Sequence, residues 1–300
     1  MPHPRTTLDQ WRVLQAIVDH GGFAQAAERL HRSQSSVSYA VARLQETLGM
    51  ELLVQDGRKA RLTDAGRALL ERSRELLAGA VKLEELAATL RLGWEPEVGL
   101  AVEAAFPTGP LLQALARFAE RAPHTRVQLR EEVLSGTDEA CINRTADLVI
   151  GSAPPAGMLA DVLIEVEFLA VAHPEHALHR LGRPLTADDL MHAQQIVLRD
   201  SGTLKPRDSG WLGAPRRWTV TSLDTALRMV QAGLGFAWLP RHVLEPCLAA
   251  GEGSATIRPL PLHEGQSRTE PLYLIFVQPE LAGPATRLLA EVLLETVAQG

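Results

Sequence analysis

The chain has 300 residues with a formal net charge of −6, and 46% of its residues are hydrophobic. This length predicts two or more domains. We find no signal peptide, no apolar run long enough to cross a membrane, and only two cysteines, a pattern that excludes membrane and disulfide-rich secreted classes and predicts a soluble cytoplasmic protein.

Residues 21–49 predict two short amphipathic helices joined by a tight turn. The first spans residues 23–30 and leaves His31 and Arg32 for the turn. Ser33 suits the N-cap of the second helix, whose apolar stripe runs from Val37 to Leu48 and ends at Gly49. This spacing is typical of a helix-turn-helix, with an ordinary surface hairpin as the alternative.

Short polar side chains begin the exposed face of the second helix. Gln pairs bidentately with adenine in the major groove, Ser bonds several base edges, and a helix N-terminus favours phosphate. We therefore predict double-stranded promoter DNA as a partner. The DNA-contacting candidates here are Arg32, Ser33, Gln34, Ser35, Ser38, Tyr39 and Arg43.

A small hairpin is predicted after this helix, with strands at residues 51–54 and 58–62 and a polar turn between them. Arg58, Lys59 and Arg61 lie on it. Cationic residues on such a wing contact phosphates and fix register without reading sequence. Arg58 and Lys59 complete the predicted DNA-contacting set.

Charge is divided unevenly along the chain. Residues 1–93 hold 13 basic against 11 acidic residues, and residues 94–300 hold 17 against 25. The net charges are +2 and −8, so the more basic part is the part predicted to bind DNA. A net charge of +2 is modest, and affinity then depends on where the cations sit and on two copies acting together.

The first 90 or so residues resemble the N-terminal domain of LysR-type transcriptional regulators, and the resemblance extends more loosely over all 300. It is carried by LDQWRVLQAIVDHGGFAQAAERLHRSQSSVSYAVARLQETLG and by the wing ending RLTDAG. The resemblance implies a sequence-specific regulator that is modulated by a small-molecule effector. The chain departs from the family's usual residues at Ser35, Ser36, Gln45 and residues 53–55, so its base preference is expected to differ from that of typical members.

Residues 63–92 predict one long helix with a dimerisation seam. Leucine recurs every seven residues, and a small residue follows each of the first four leucines by four positions. Such a seam would pair two copies so that they read two half-sites; the alternative is a helix that packs on its own domain. The leucines are Leu62, Leu69, Leu76, Leu83 and Leu90, and the small residues are Gly66, Ser73, Ala80 and Ala87.

Beyond residue 93, short apolar strands alternate with helices, a pattern that predicts a parallel, doubly wound α/β sheet. We predict strands at residues 98–102, 127–131, 147–150, 165–172, 195–198, 218–221, 235–239 and 271–276, and helices at residues 110–121, 136–144, 222–232 and 284–297.

This region resembles the effector domain of the same family, which is similar to periplasmic binding proteins. The resemblance implies two α/β subdomains joined by two crossings, placed near residues 165–171 and 268–274. The expected organisation is a winged helix-turn-helix at 1–62, a linker helix at 63–93 and an effector domain at 94–300. Its first subdomain takes in about 94–165 and 270–300, and its second about 166–269. A dimer through the linker helix, and a tetramer through effector-domain contacts, are expected.

Ligands of such sheets lie beyond the carboxyl ends of the strands, where helix N-termini converge. The chain offers alanines at residues 104 and 105 where family members often carry a hydroxyl, which makes a carboxylate effector less certain. The effector-contacting candidates are Glu103, Ala104, Ala105, Phe106, Thr108, Val133, Ser152, Arg199, Ser201, Gly202, Thr221 and Ser222, with Glu132 at a neighbouring strand end.

Other chemistry has weaker support in the sequence. His173, His176 and His179 are expected in a solvated loop rather than at a metal, and Cys141 and Cys247 fall in different subdomains without flanking basic clusters. We expect no metal, no cofactor and no catalytic site. The alternative to a regulator is a small-molecule-binding protein or enzyme with an accessory DNA-binding module.

Overall fold

The computed structural model describes residues 3–56, 59–158, 160–207, 211–249, 255–264 and 267–299. The chain divides into two compact units, Met1–Leu92 and Gly93–Gly300. No helix among the described residues is both long enough and apolar enough to span a bilayer.

The first unit is a helical domain with a two-stranded antiparallel sheet. Its elements are α1 (Leu8–His20), α2 (Phe23–Arg29), α3 (Gln34–Leu48), β1 (Leu53–Asp56), β2 (Lys59–Leu62) and α4 (Asp64–Arg91).

Local capping explains where these helices begin and end. Thr7 and Gln10 form a reciprocal capping box at the start of α1, and Gly21 ends that helix in the left-handed conformation. Ser33 accepts a hydrogen bond from Ser36 N–H at the start of α3, and Gly49 adopts the left-handed conformation at its end. Both predicted boundaries of the recognition helix are therefore confirmed.

The long helix α4 follows Thr63, whose side chain accepts a hydrogen bond from Gly66 N–H. Gly66 and Ser73 are buried. A Cβ atom on Gly66 would lie 2.1 Å from the carbonyl oxygen of Leu52. The expectation that these two small residues admit a partner helix is therefore wrong, because they pack within their own unit.

The heptad leucines divide into two groups. Leu62 and Leu69 pack against the core of their own unit. Leu76, Leu83 and Leu90 are 54%, 67% and 43% exposed. The C-terminal half of α4 thus carries an apolar stripe that the described residues of its own unit leave exposed.

The second unit is an α/β domain with nine strands among its described residues. Its elements are β3 (Glu97–Glu103), α5 (Thr108–Arg121), β4 (Arg126–Glu132), α6 (Ser135–Ile142), β5 (Leu148–Gly151), β6 (Ala160–Ala172), a 3₁₀ turn (Ala177–Leu181), α7 (Ala187–Met191), β7 (Gln195–Leu198), β8 (Arg217–Val220), α8 (Leu223–Gln231), β9 (Phe236–Pro240), α9 (Arg241–Leu248), β10 (Arg258–Pro259), β11 (Ser267–Phe276) and α10 (Pro284–Ala298).

The strands form one hydrogen-bonded sheet in the order β4-β3-β5-β11-β6-β9-β7-β8, with β10 beside β6. β3 is parallel to β4 and β5, and β7 is parallel to β8 and β9. The two long strands β6 and β11 are antiparallel to each other and to their neighbours. The predicted parallel pairing is found within each half of the sheet, whereas β6 and β11, which cross between the halves, are antiparallel.

Two groups of core clusters make this domain two subdomains. Leu163 and Val166 of β6 pack with β3, α5 and α10, whereas Leu169 and Val171 pack with α8 and β9. The sheet thus passes from one core to the other between Val166 and Leu169. Opposite this point, β11 pairs Arg268 with Phe168.

Candidate functional site

The first candidate surface is the exposed face of α3. Gln34, Ser35, Ser38 and Tyr39 are all exposed, and Tyr39 is 72% exposed. The opposite face is buried through Val37, Val41 and Leu44. A helix held by one apolar face presents the other to a groove, as a major-groove reader requires.

Two predicted cations near α3 are engaged within the chain. Arg32 donates two 2.8 Å hydrogen bonds to the carboxylate of Asp9 on α1, and these bonds lower the pKa of Asp9. Arg32 therefore connects the turn to α1 through a surface ion pair, and its predicted contact with DNA stays a prediction. Arg43 forms a 2.6 Å ion pair with Glu46 at the protein surface. Its guanidinium group therefore remains accessible to solvent.

The side chain of Gln45 connects α3 to the start of the wing. Gln45 Oε1 accepts hydrogen bonds from Leu52 N–H and Leu53 N–H, at 2.7 and 3.0 Å. Lys59 opens β2, and Arg58 lies outside the described residues. These two hydrogen bonds connect α3, the predicted DNA-reading helix, to the start of the predicted wing.

The second candidate site is a cleft between the two subdomains. Two adjoining cavities, about 100 and about 210 Å³, share part of their lining. The shared residues come from the first subdomain and from the two crossing strands: Glu103, Ala105, Leu134, Phe168 and Arg268.

Glu103 ends β3 inside this cleft and is only 4% exposed. Its Oε2 accepts a 2.8 Å hydrogen bond from Leu134 N–H. Burial raises the pKa of Glu103 to about 7, although the Leu134 N–H bond opposes this shift. The group therefore exists as both carboxylate and carboxylic acid near neutral pH.

Asp200, from the loop after β7, reaches across to the N-terminus of α6. It accepts hydrogen bonds from Ser135 N–H at 3.0 Å and from the Ser135 hydroxyl at 2.8 Å. Gly202 N–H and Arg207 N–H also donate to it. Burial raises the pKa of Asp200, but these donors outweigh burial and lower it, so the group at the helix N-terminus is a carboxylate.

Neighbouring residues of the same loop extend the contact. Ser201 donates to Glu132 Oε2 at 2.7 Å and accepts from Val133 N–H at 2.9 Å. Arg207 forms a 3.3 Å ion pair with Asp138 and donates to Ser152 at 3.2 Å. We call the contact between residues 200–207 and residues 132–139 the latch, because it joins the two subdomains at the edge of the cleft.

The second-subdomain wall of the cleft is aromatic. Trp211 and Trp238 line the smaller cavity, with ring centroids 5.7 Å apart. Phe168 lies opposite Arg268, whose guanidinium carbon is 4.8 Å from the centre of its ring. Gln195 completes this wall; it is 2% exposed and its Nε2 donates to Trp211 carbonyl oxygen at 2.7 Å.

The structure brings some of the predicted effector residues together and separates others. Ser201 and Gly202 lie in the latch, and Phe106 packs in the first core. The predicted residues that line a cavity are Glu103, Ala105, Val133 and Ser152. Those outside both linings are Ala104, Phe106, Thr108, Arg199, Ser201, Gly202, Thr221 and Ser222.

Several predicted effector residues lie outside the linings of the two cavities, each for a different structural reason. Thr108 is exposed at the first residue of α5, and Ser222 caps α8 by accepting from Thr225 N–H. Ala104 N–H donates to Glu132 carbonyl oxygen, so its backbone serves the strand edge. Arg199 is exposed at a strand end.

Sequence reasoning missed the residues that build the aromatic wall. Phe168 and Arg268 fall within the predicted crossings, so the crossing itself was the available signal. The chain has five tryptophans, and two of them meet here only because β9 and the segment before β8 converge. Gln195 begins a correctly predicted strand but carries no motif.

The histidine and cysteine candidates lie elsewhere. His173 and His176 accept backbone hydrogen bonds in the turn after β6. Cys141 is buried on α6, where burial raises its pKa to about 12, and Cys247 lies on α9. Among the described residues, no group of three or more His, Cys, Asp or Glu side chains is placed to hold a metal ion.

Two family profiles match the chain. The one described as "LysR substrate binding domain" covers residues 92–298, and "Bacterial regulatory helix-turn-helix protein, lysR family" covers residues 8–67. The chain is 32% identical over 250 residues to the "Probable HTH-type transcriptional regulator YhaJ" of Escherichia coli K12, across 82% of this chain and 84% of that protein. It is 28% identical over 305 residues to the regulator CrgA of Neisseria meningitidis serogroup C, across 97% of each.

Solved structures share the fold. CrgA of Neisseria meningitidis aligns with a TM-score of 0.52 at 22% identity, across 98% of this chain and 99% of that one. LysG of Corynebacterium glutamicum, with bound effector Arg, aligns with a TM-score of 0.51 at 21% identity, across 98% and 99%.

Proposed function

Because the chain belongs to the LysR family of transcriptional regulators, we propose that α3 reads promoter DNA while the cleft of the second unit binds the effector that modulates it. The observation that carries the DNA-binding half is the polar exposed face of α3, which begins at a capped N-terminus and is backed by a buried apolar stripe. The curated relatives are regulators, which favours this function over the enzyme alternative.

We propose that Gln34, Ser35, Ser38 and Tyr39 face the bases, and that Arg58 and Lys59 contact phosphates. Side chains at the start of the recognition helix reach base edges, whereas wing cations contact the backbone. The ion pair between Arg32 and Asp9 supports a positioning role for Arg32. By holding the turn against α1, Arg32 orients the helix that follows.

Dimerisation through α4 is part of the proposal. Leu76, Leu83 and Leu90 recur at heptad spacing and are exposed, which supports a seam in the C-terminal half of the helix. Two copies would place two recognition helices on the half-sites of an inverted repeat. This arrangement also answers the modest net charge of residues 1–93, because two weak sites on one DNA act together.

The effector half of the proposal rests on the two-subdomain cleft. A ligand between subdomains favours one of their arrangements over another, and it changes DNA binding only through that difference. Glu103, Ala105, Val133 and Ser152 are the predicted residues placed to contact it, joined by residues of the aromatic wall.

The test is footprinting of the full chain on a panel of operator variants. Gln34→Ala is expected to lose about 1–3 kcal/mol of discrimination at one base pair of each half-site. Lys59→Ala, the matched backbone-contact variant, is expected to weaken all sequences alike. An unchanged base preference in Gln34→Ala would contradict the placement of α3 in the groove.

A further inference from the structure

Two acidic side chains of this chain already occupy, in the cleft and at its edge, the groups that would bind an anionic ligand. Asp200 occupies Ser135 N–H and hydroxyl at the N-terminus of α6, and Glu103 occupies the neighbouring Leu134 N–H. An incoming carboxylate or phosphate would have to displace one of these two acids and meet the other, at a cost in repulsion and desolvation.

The two arginines of the cleft are likewise paired with acids. Arg207 faces Asp138 at 3.3 Å, and Arg268 faces Glu270 at 3.6 Å while it stacks over Phe168. A paired guanidinium with an aromatic face on one side attracts a further anion less than an unpaired one does. The acids at the N-terminus of α6 therefore disfavour an anionic ligand there, while Arg207 Nε, in the larger cavity, is a buried donor without a partner among the described residues.

Gln195, in contrast, requires a hydrogen-bond donor from a ligand. Its Nε2 donates to Trp211 carbonyl oxygen, which fixes the orientation of the amide and leaves Oε1 as an acceptor. Among the described residues Oε1 has no hydrogen-bond partner, although the side chain is 98% buried and lines the smaller cavity. A buried acceptor without a partner is costly, and a donor on a ligand satisfies it.

The walls around this acceptor are flat and apolar. Trp211, Trp238 and Phe168 present ring surfaces, and Leu198, Leu223 and Ala226 complete the lining. The cavity that Gln195 lines is about 100 Å³, smaller than the roughly 150 Å³ that holds a benzene ring in an engineered protein core, so a ring must also take space from the adjoining cavity of about 210 Å³. Aromatic rings pack on such walls in offset or edge-to-face geometry.

We propose that the cleft binds a small uncharged aromatic molecule bearing a hydroxyl or amino group, and that this group donates its hydrogen bond to Gln195 Oε1. The proposal rests on the proposed function for its role as effector, and it names the chemistry of that effector. Glu103 lines the same cavity from the first subdomain and is a further polar side chain available to the ligand.

Three one-ring probes test the hydrogen-bond donor, the aromatic ring and the negative charge separately. Phenol carries the donor, anisole has the ring without the donor, and benzoate carries a negative charge. Binding to the full chain is followed by calorimetry and by quenching of tryptophan fluorescence. We expect phenol to bind about 2- to 12-fold tighter than anisole, as one hydrogen bond provides, and benzoate to bind at least about tenfold weaker than phenol.

Gln195→Leu replaces the amide with an apolar side chain of similar size, and so removes both the acceptor and the hydrogen bond to Trp211 carbonyl oxygen. In this variant the preference for phenol over anisole should fall to about one, while anisole binding changes little. Gln113→Leu, on the exposed face of α5, is the matched control and should keep the preference. If Gln195→Leu retains the preference for phenol, the assignment of Oε1 is refuted.

The unmodified chain alone can overturn the proposal, whatever the variants do. Benzoate binding as tight as phenol, or no saturable binding of phenol or anisole, refutes it. A gel shift on operator DNA, run in parallel, distinguishes failure of the ligand chemistry from failure of the proposed function. Sequence-specific DNA binding that responds to a metabolite extract but not to these probes leaves the proposed function standing and refutes the inference. Gln195-dependent phenol binding without any specific DNA binding supports the ligand chemistry and contradicts the proposed function.

Discussion

Replacing Asp200 with alanine should open the cleft, because this carboxylate provides two of the hydrogen bonds of the latch. Its bonds to Ser135 N–H and hydroxyl cross between the subdomains. Hydrogen bonds to a buried charged group contribute about 1.5–3 kcal/mol each, but Asp200 is partly exposed, so we discount them to about 1 kcal/mol each. The loss is then about 2 kcal/mol.

Two measurements follow from this magnitude. For a unit of this size, about 2 kcal/mol corresponds to a fall of about 4–8 °C in Tm, recorded by circular dichroism. Acrylamide should also quench Trp211 and Trp238 more strongly, because they line the cleft. Asp224→Ala is the matched control, since Asp224 is exposed and pairs with Arg228 within one helix; it should change stability by less than about 0.5 kcal/mol.

The pH dependence of the same contact has a definite sign. The folded-state pKa of Asp200 is lowered, so its contribution is present above the unfolded value of about 4 and is lost as pH falls through the folded value. The difference in Tm between wild type and Asp200→Ala should therefore shrink in acid. If Asp200→Ala matches Asp224→Ala in both Tm and quenching at neutral pH, the latch does not hold the subdomains together.

Three further changes test other parts of the structure. Glu103→Gln should match wild-type stability below about pH 4 and exceed it by up to about 3 kcal/mol above pH 7, because the raised pKa costs stability as the carboxyl ionises; a pH-independent difference in Tm would contradict this. Gly66→Ala should destabilise by about 1–3 kcal/mol because its Cβ meets a carbonyl oxygen at 2.1 Å. Gly79→Ala, on the same helix with open space around it, should stabilise by about 0.5–1 kcal/mol, and thermal melts that rank the two alike would refute the packing argument. Leu76→Glu should lower the mass seen by light scattering and weaken operator binding, whereas Leu112→Glu, equally exposed on α5, should do neither; unchanged mass and affinity in Leu76→Glu would exclude α4 as the principal interface.

The sequence predicted elements well where local chemistry decides them. Ser33 and Gly49 delimit α3 because a cap and a left-handed residue act within one turn of chain. β7 is observed at the predicted residues for a similar reason, since a short apolar run between polar segments is a local signal.

Long-range pairing decided what the sequence could not predict. The residues near β6 and β11 do not predict that these strands run antiparallel across both halves of the sheet. Strand direction here depends on pairing between segments about 100 residues apart. The heptad pattern of α4 likewise does not distinguish Ser73, which packs inward, from Leu76, which does not.

The same limit explains the candidate site. Glu103, Val133 and Ser152 follow strands, and the rule that ligands lie beyond strand ends found them. Gln195 begins a strand and Phe168 lies within one, so that rule passes over both. Their place in the cleft arises from the convergence of crossing strands and tryptophans, which only the folded chain displays.

The β6–β11 ribbon limits which motions the subdomains can make. Its antiparallel register runs from Ser267 opposite Leu169 to Ile275 opposite Ala160, with one irregularity between Leu272 and Tyr273. Sliding the strands by one residue would turn every side chain to the wrong face of the sheet, so translation is forbidden while twist and bend are not. The cleft therefore has few mechanical degrees of freedom. Phe168 and Arg268 pair one residue from the Ser267–Leu169 end of that register, where the ribbon enters the second subdomain, so a twist of the ribbon would move these two side chains of the cleft together with that subdomain.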